Sequence, residues 1–80
     1  MPVLQKQRRT KLQHLTDAQE KVLDFIKSYT DENGWPPTRG EISTEFNWVS
    51  SNAAHDHLKA IEKKGYIYIA EGVARGIKVL

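Results

Sequence analysis

Eighty residues make one small domain, which buries only about 60% of its unfolded surface and needs a compact, regular core. Twelve Lys and Arg against ten Asp and Glu give +2, but Lys6, Arg8, Arg9 and Lys11 fall in an acid-free stretch over residues 1–14; from Leu15 onward eight bases face ten acids, a net −2. The absence of cysteine excludes a disulfide scaffold, a thiol nucleophile and zinc-finger or iron–sulfur sites, and no apolar run approaches the roughly 20 residues that span a bilayer.

Residues 1–14 carry Val3, Leu4 and Leu12 without a sustained period and read as a mobile or conditionally helical basic arm, the alternative being a solvated tail or an extra turn of helix packed on the domain. The domain proper is expected over 15–80. Thr16 and Gln19 form a capping-box pattern that opens the first helix. Ala18, Val22, Phe25, Ile26 and Tyr29 recur at spacings of three and four, with Leu23 beside them, as in an amphipathic helix. Asn33-Gly34 terminates it.

Trp35-Pro36-Pro37 must run extended, because each proline disfavours helix in the residue before it. Thr38 and Glu41 repeat the capping box before a short helix carrying Ile42 and Phe46. Gly40 inside so short a helix implies close backbone contact with a neighbour. After Asn47-Trp48-Val49, Ser50 or Ser51 caps a third helix, which ends near Lys64 at Gly65. Two short helices joined by a few residues give a helix-turn-helix outline. Residues 66–69 alternate as a strand, two glycines between Glu71 and Gly76 supply a turn, and residues 77–80 return. The expected fold is mainly α with a small β-hairpin, a three-helix winged helix-turn-helix.

On the wheel of the third helix Ala54, Leu58 and Ile61 share one arc, with His57 at its edge. Asn52, Asp56, Lys59 and Lys63 lie opposite, flanked by Ala53, His55 and Ala60. That outward face suits a DNA major groove: Asn pairs bidentately with adenine, Asp accepts from cytosine N4, and Ala touches the thymine methyl. Recognition helices read bases mainly through their N-terminal residues. The wheel alone fits an ordinary solvated face at least as well. His55-Asp56-His57 is not a convincing metal cluster, since i and i+2 point about 200° apart. His57 reads as half-buried packing, and Trp35 and Trp48 as core or lid residues. No Ser/His/Asp set, phosphate-binding glycine loop or carboxylate pair is present, so an enzyme is not expected, and no metal or cofactor is implied.

Six motifs in order carry a resemblance: Leu15-Thr16-x-x-Gln19; Gly34-x-Pro36-Pro37-Thr38-Arg39-x-Glu41-Ile42; Ser50-x-Asn52-Ala53-Ala54; His57-Leu58-Lys59-Ala60; Lys64-Gly65; and Arg75-Gly76-Ile77. Over about four-fifths of its length the chain resembles the N-terminal DNA-binding domain of the LexA family of SOS repressors. The resemblance implies that the third helix reads an operator through Ser50, Asn52, Ala53, His55 and Asp56. Ser50, Asn52 and Ala53 match the family, whereas His55 replaces a Glu and Asp56 shortens an acid. The ordinary SOS operator is therefore not expected to be read with full preference. Ser51 stands where the family has Pro.

Candidate contacts to the DNA backbone are Arg39, Ser51, Lys59, Lys63 and Arg75, the last expected at the wing tip, with Arg8 and Arg9 from the arm. The chain ends where the family's linker and self-cleaving C-terminal domain would begin, so no self-cleavage is expected and any homodimer on DNA must form another way. The starting Met1-Pro2 and the basic arm favour a stand-alone small regulator over a truncated one. The expected partner is double-stranded DNA, in the cytoplasm of a bacterial or phage-infected cell, with no membrane role. The competing class, favoured by the −2 body, is a winged-helix interaction module that docks on RNA polymerase or a host regulator.

Overall fold

The computed structural model describes residues 13–80. Arg8, Arg9 and most of the expected basic arm lie outside the described residues. Three helices, α1 (Asp17–Asn33), α2 (Arg39–Glu45) and α3 (Ser51–Lys63), precede an antiparallel hairpin of β1 (Ile67–Ile69) and β2 (Ile77–Val79). This is the winged helix-turn-helix order that the periodicity predicts.

Each helix begins where a side chain can satisfy free backbone N–H groups. Thr16 accepts from the Gln19 amide while Gln19 accepts from the Thr16 amide, and Thr38 and Glu41 repeat the arrangement at α2. Each such cap is worth about 1 kcal/mol. Helix α1 stops at Gly34, whose φ of +84° is left-handed and whose N–H returns to the Thr30 carbonyl.

The core forms where the three helices meet the inner face of the hairpin. Val22, Leu23 and Ile26 of α1, Ile42 of α2, Ala54, Leu58 and Ile61 of α3, and Ile67, Ile69 and Ile77 of the hairpin are buried together. Burying each of the larger side chains is worth about 1.5–3 kcal/mol. Ala18, expected in the α1 stripe, is exposed. It lies in the first turn, before the stripe reaches the other helices.

In the hairpin Ile67 faces Val79, Tyr68 faces Lys78 and Ile69 faces Ile77. The buried isoleucines sit on one face, with Tyr68 and Lys78 on the other. Gly76 is needed at the turn: a Cβ there would come within 2.8 Å of the Ala70 carbonyl oxygen. Gly40 is different. A Cβ at that position would meet only the Thr38 hydroxyl, at 3.8 Å, so the expected close approach of a neighbour is absent.

Three side chains bind distant segments together. Lys64 Nζ donates to the His14 carbonyl at 3.0 Å and to Gln19 Oε1 at 2.6 Å. Tyr66 donates its hydroxyl to the Gln13 carbonyl at 2.8 Å. Glu62 accepts the Ile69 amide at 2.9 Å, which ties the last turn of α3 to the first strand. That hydrogen bond, opposed by desolvation and helped by Lys59, holds the Glu62 carboxyl below the usual carboxylate range.

Candidate nucleic-acid interface

The turn between α2 and α3 sets how the third helix is presented. Phe46 closes α2, and Asn47 follows in a left-handed conformation at φ +58°, which Asn tolerates better than most residues. The Trp48 amide then donates to the Ser43 carbonyl at 2.8 Å. Ser43 is buried, and its hydroxyl donates to the Ser50 carbonyl at 3.3 Å, linking α2 to the cap of α3. Trp48 stacks between Phe46, at 5.1 Å, and His57, at 4.5 Å. Phe46 also meets the edge of Phe25 at 5.9 Å, so one aromatic row runs from α1 through the turn to α3.

This row assigns His57 to packing. Its ring lies against Trp48, and its Nδ1 sits 2.9 Å from the Ala53 carbonyl. His55 points elsewhere and is partly buried, with an Nδ1 that is sealed from solvent and has no hydrogen-bond partner. Among the described residues no three His, Cys, Asp or Glu side chains gather as a metal site would require. The tryptophans divide. Trp48 packs against the core, whereas Trp35 is 52% exposed and is not a core residue.

Ala54, Leu58 and Ile61 are fully buried, which fixes the rotation of α3 about its axis. Ser50, Ser51, Asn52, Asp56, Lys59 and Lys63 are consequently exposed, and Ala53 is partly so. Ser50 has a structural duty as well. Its hydroxyl oxygen accepts from the Asn52 amide at 3.1 Å, which leaves its own hydrogen free to donate. Lys63 in the last turn suits the helix dipole. Lys59 is not an isolated cation: it lies 3.2 Å from Glu62 and 3.7 Å from Glu71. Surface pairs of this kind contribute at most about 1 kcal/mol and exchange readily.

Arg39 occupies the first position of α2 and is exposed. Arg75, a candidate backbone contact at the wing, is already paired within the domain. Its guanidinium forks onto Glu41, with Nη1–Oε1 at 2.8 Å and Nη2–Oε2 at 2.9 Å, and Nη1 also donates to the Pro36 carbonyl at 2.8 Å. The Tyr29 ring centroid lies 6.0 Å from it. Hydrogen bonding to Arg75, assisted by the Thr38 amide, holds the Glu41 carboxyl at about 2, and the same contact raises the Arg75 guanidinium. A single sequence contains no cue to this pair, because the partners are 34 positions apart.

Residues 12–76 match the family described as the LexA DNA binding domain. Among similar proteins, the LexA repressor of Glaesserella parasuis serovar 5 (strain SH0165) is 47% identical over 70 residues, covering 88% of this chain and 34% of that protein. The LexA repressor of Dechloromonas aromatica (strain RCB) is 54% identical over 66 residues, 82% of this chain and 33% of the relative. That of Cellvibrio japonicus (strain Ueda107) is 50% identical over 66 residues. The chain thus spans about a third of the length of these relatives.

Proposed function

The chain belongs to the LexA DNA-binding domain family, and from that premise we propose that it is a sequence-specific binder of double-stranded DNA that acts as a repressor-like transcriptional regulator. The observation carrying this reading is the rotation of α3. Its three fully buried residues leave an amide, a carboxylate and two ammonium groups exposed along the rest of the helix. Near its start, partly exposed Ala53 permits close approach of the backbone to a groove floor.

In this reading Ser50, Asn52, Ala53, His55 and Asp56 face base edges. The sealed Nδ1 of His55 means that only its other ring nitrogen is offered. Lys59, Lys63, Arg39 and Ser51 lie on phosphates, and Lys59 exchanges Glu62 and Glu71 for a phosphate as it binds. The hairpin lies along the backbone as the wing. His55 and Asp56 set a base preference distinct from that of relatives carrying longer acids at these positions. Arg8 and Arg9 add non-specific hold from the N-terminal side.

Selection from a random duplex library at stated salt tests the proposal. A defined preferred site is expected, and two spaced half-sites in it would report a homodimer. On that site Asn52→Ala is expected to cost about 1–3 kcal/mol and to relax preference at one base pair. Unchanged affinity would remove α3 from the groove. Failure to select any site would favour the interaction-module reading, which a pull-down from nuclease-treated lysate against RNA polymerase then examines.

A further inference from the structure

We infer that Arg75 is the positioning residue of the wing, locking the hairpin tip to the start of the helix-turn-helix through Glu41, and is not one of the domain's phosphate contacts. The inference rests on the proposed reading of DNA and gives a different job to a wing cation that was a candidate for the backbone. Arg75 precedes Gly76 in the turn between β1 and β2. The two strands have three residues each, and a lone hairpin of that size is marginally stable at best. Its inner face is anchored by Ile67, Ile69 and Ile77, but residues 71–74 of the turn are exposed and bring nothing to the core.

The guanidinium supplies the missing anchor. It reaches the loop before α2 at the Pro36 carbonyl, α2 itself at Glu41, and the flank of α1 at Tyr29. Glu41 is in turn immobilised, because Oε1 accepts the Thr38 amide at 2.8 Å as the second half of the α2 capping box. One carboxylate therefore caps the first helix of the helix-turn-helix motif and moors the wing. Bidentate geometry requires the planar fork of arginine, and a lysine ammonium cannot reproduce it. Three of the five guanidinium N–H donors are committed to Pro36 and Glu41, and swinging the group away to a phosphate would leave Glu41 unpaired beside a polyanion. Held in place, it instead gives wing and reading helix a fixed separation, so both meet one duplex without a cost for ordering the tip.

Four proteins decide the matter on the selected duplex: the parent, Arg75→Gln, Glu41→Gln and the double variant, each titrated by fluorescence anisotropy at several salt concentrations. Both single variants are expected to bind more weakly, by roughly threefold to thirtyfold, with the double variant no weaker than the worse single one. The slope of log K against log salt should be the same in all four. A phosphate contact gives the opposite result: Arg75→Gln flattens the slope by about 0.9, and Glu41→Gln tightens binding by freeing the cation. Either observation overturns the inference.

A measurement without DNA separates this inference from the functional reading. Amide exchange at Ala70 and Gly76, which donate to the Gly76 and Val73 carbonyls, is expected to quicken by roughly tenfold in Arg75→Gln, and by less in Arg75→Lys. Unchanged exchange there dismisses the mooring even if the parent binds DNA well. Quickened exchange in Arg75→Gln, when the parent selects no duplex, leaves the mooring standing and removes the DNA reading.

Discussion

Helix α3 and the hairpin that follows it are neighbours in sequence, yet they are held by different forces. The helix is mounted on apolar contact, with Ala54, Leu58 and Ile61 fully buried, Ser50 capping its start and the Ser43 hydroxyl fixing that cap to α2. The hairpin shares the core along its strands, but its tip is held by the paired charges of Arg75 and Glu41. Apolar mounting responds little to acid, whereas an ion pair is lost when its carboxylate takes up a proton. The same small domain thus carries one reading element set by its core and one wing whose mooring is sensitive to acid.

The sharpest way to break this comparison is in the apolar mounting. Leu58→Ala removes a fully buried side chain from the contact between α3 and the other helices. It is expected to cost about 2–5 kcal/mol of stability, measured by urea unfolding. A loss below 1 kcal/mol would mean that the helix is not seated by its core face.

Acid acts on the other mounting. Glu41 titrates near 2 in the folded chain instead of the usual 4.5, so the unfolded chain takes up its proton first as pH falls. Its stabilising contribution is therefore complete above about pH 5 and is lost progressively down to about pH 2. Thermal midpoints of the parent should fall over that window more steeply than those of Glu41→Gln. Parallel curves would show that Glu41 is not specially held.

The smallest effect sharpens the contrast at α2. A Cβ at Gly40 would make only an ordinary contact with the Thr38 hydroxyl, so Gly40→Ala should raise stability by up to about 1 kcal/mol, read from the thermal midpoint. A destabilised variant would point to a contact that the static structure lacks.

These residues also show where sequence reading stops. Both capping boxes, the α3 core arc and the hairpin were legible because each is a local pattern, set within a few positions by helical or strand periodicity. Gly40 was misjudged because a glycine marks either close approach or simple tolerance, and only its neighbours distinguish the two. The pairing of Arg75 was not legible because its partner lies in another element, and Trp35 could be placed only as core or lid because aromatic character alone does not say which way a loop turns. Ser43 carries no sequence signal of its bond to Ser50. Its position beside Ile42 in a short helix identifies it only after the turn geometry is known. Of the candidate interface, exposure of the α3 polar face followed from the wheel, whereas commitment of Lys59 to Glu62 and Glu71 did not.

Gln19 joins the two ends of the helical body through one atom. Its Oε1 accepts both the Thr16 amide at the start of α1 and the Lys64 ammonium just past the end of α3. Helix ends ordinarily fray separately, each losing a turn at little cost to the rest. Here, opening the first turn of α1 breaks its bond to Lys64, whose second bond, to the His14 carbonyl, is made by another N–H of the same ammonium. Fraying at the start of α1 and at the end of α3 is thereby coupled through one charge-assisted hydrogen bond.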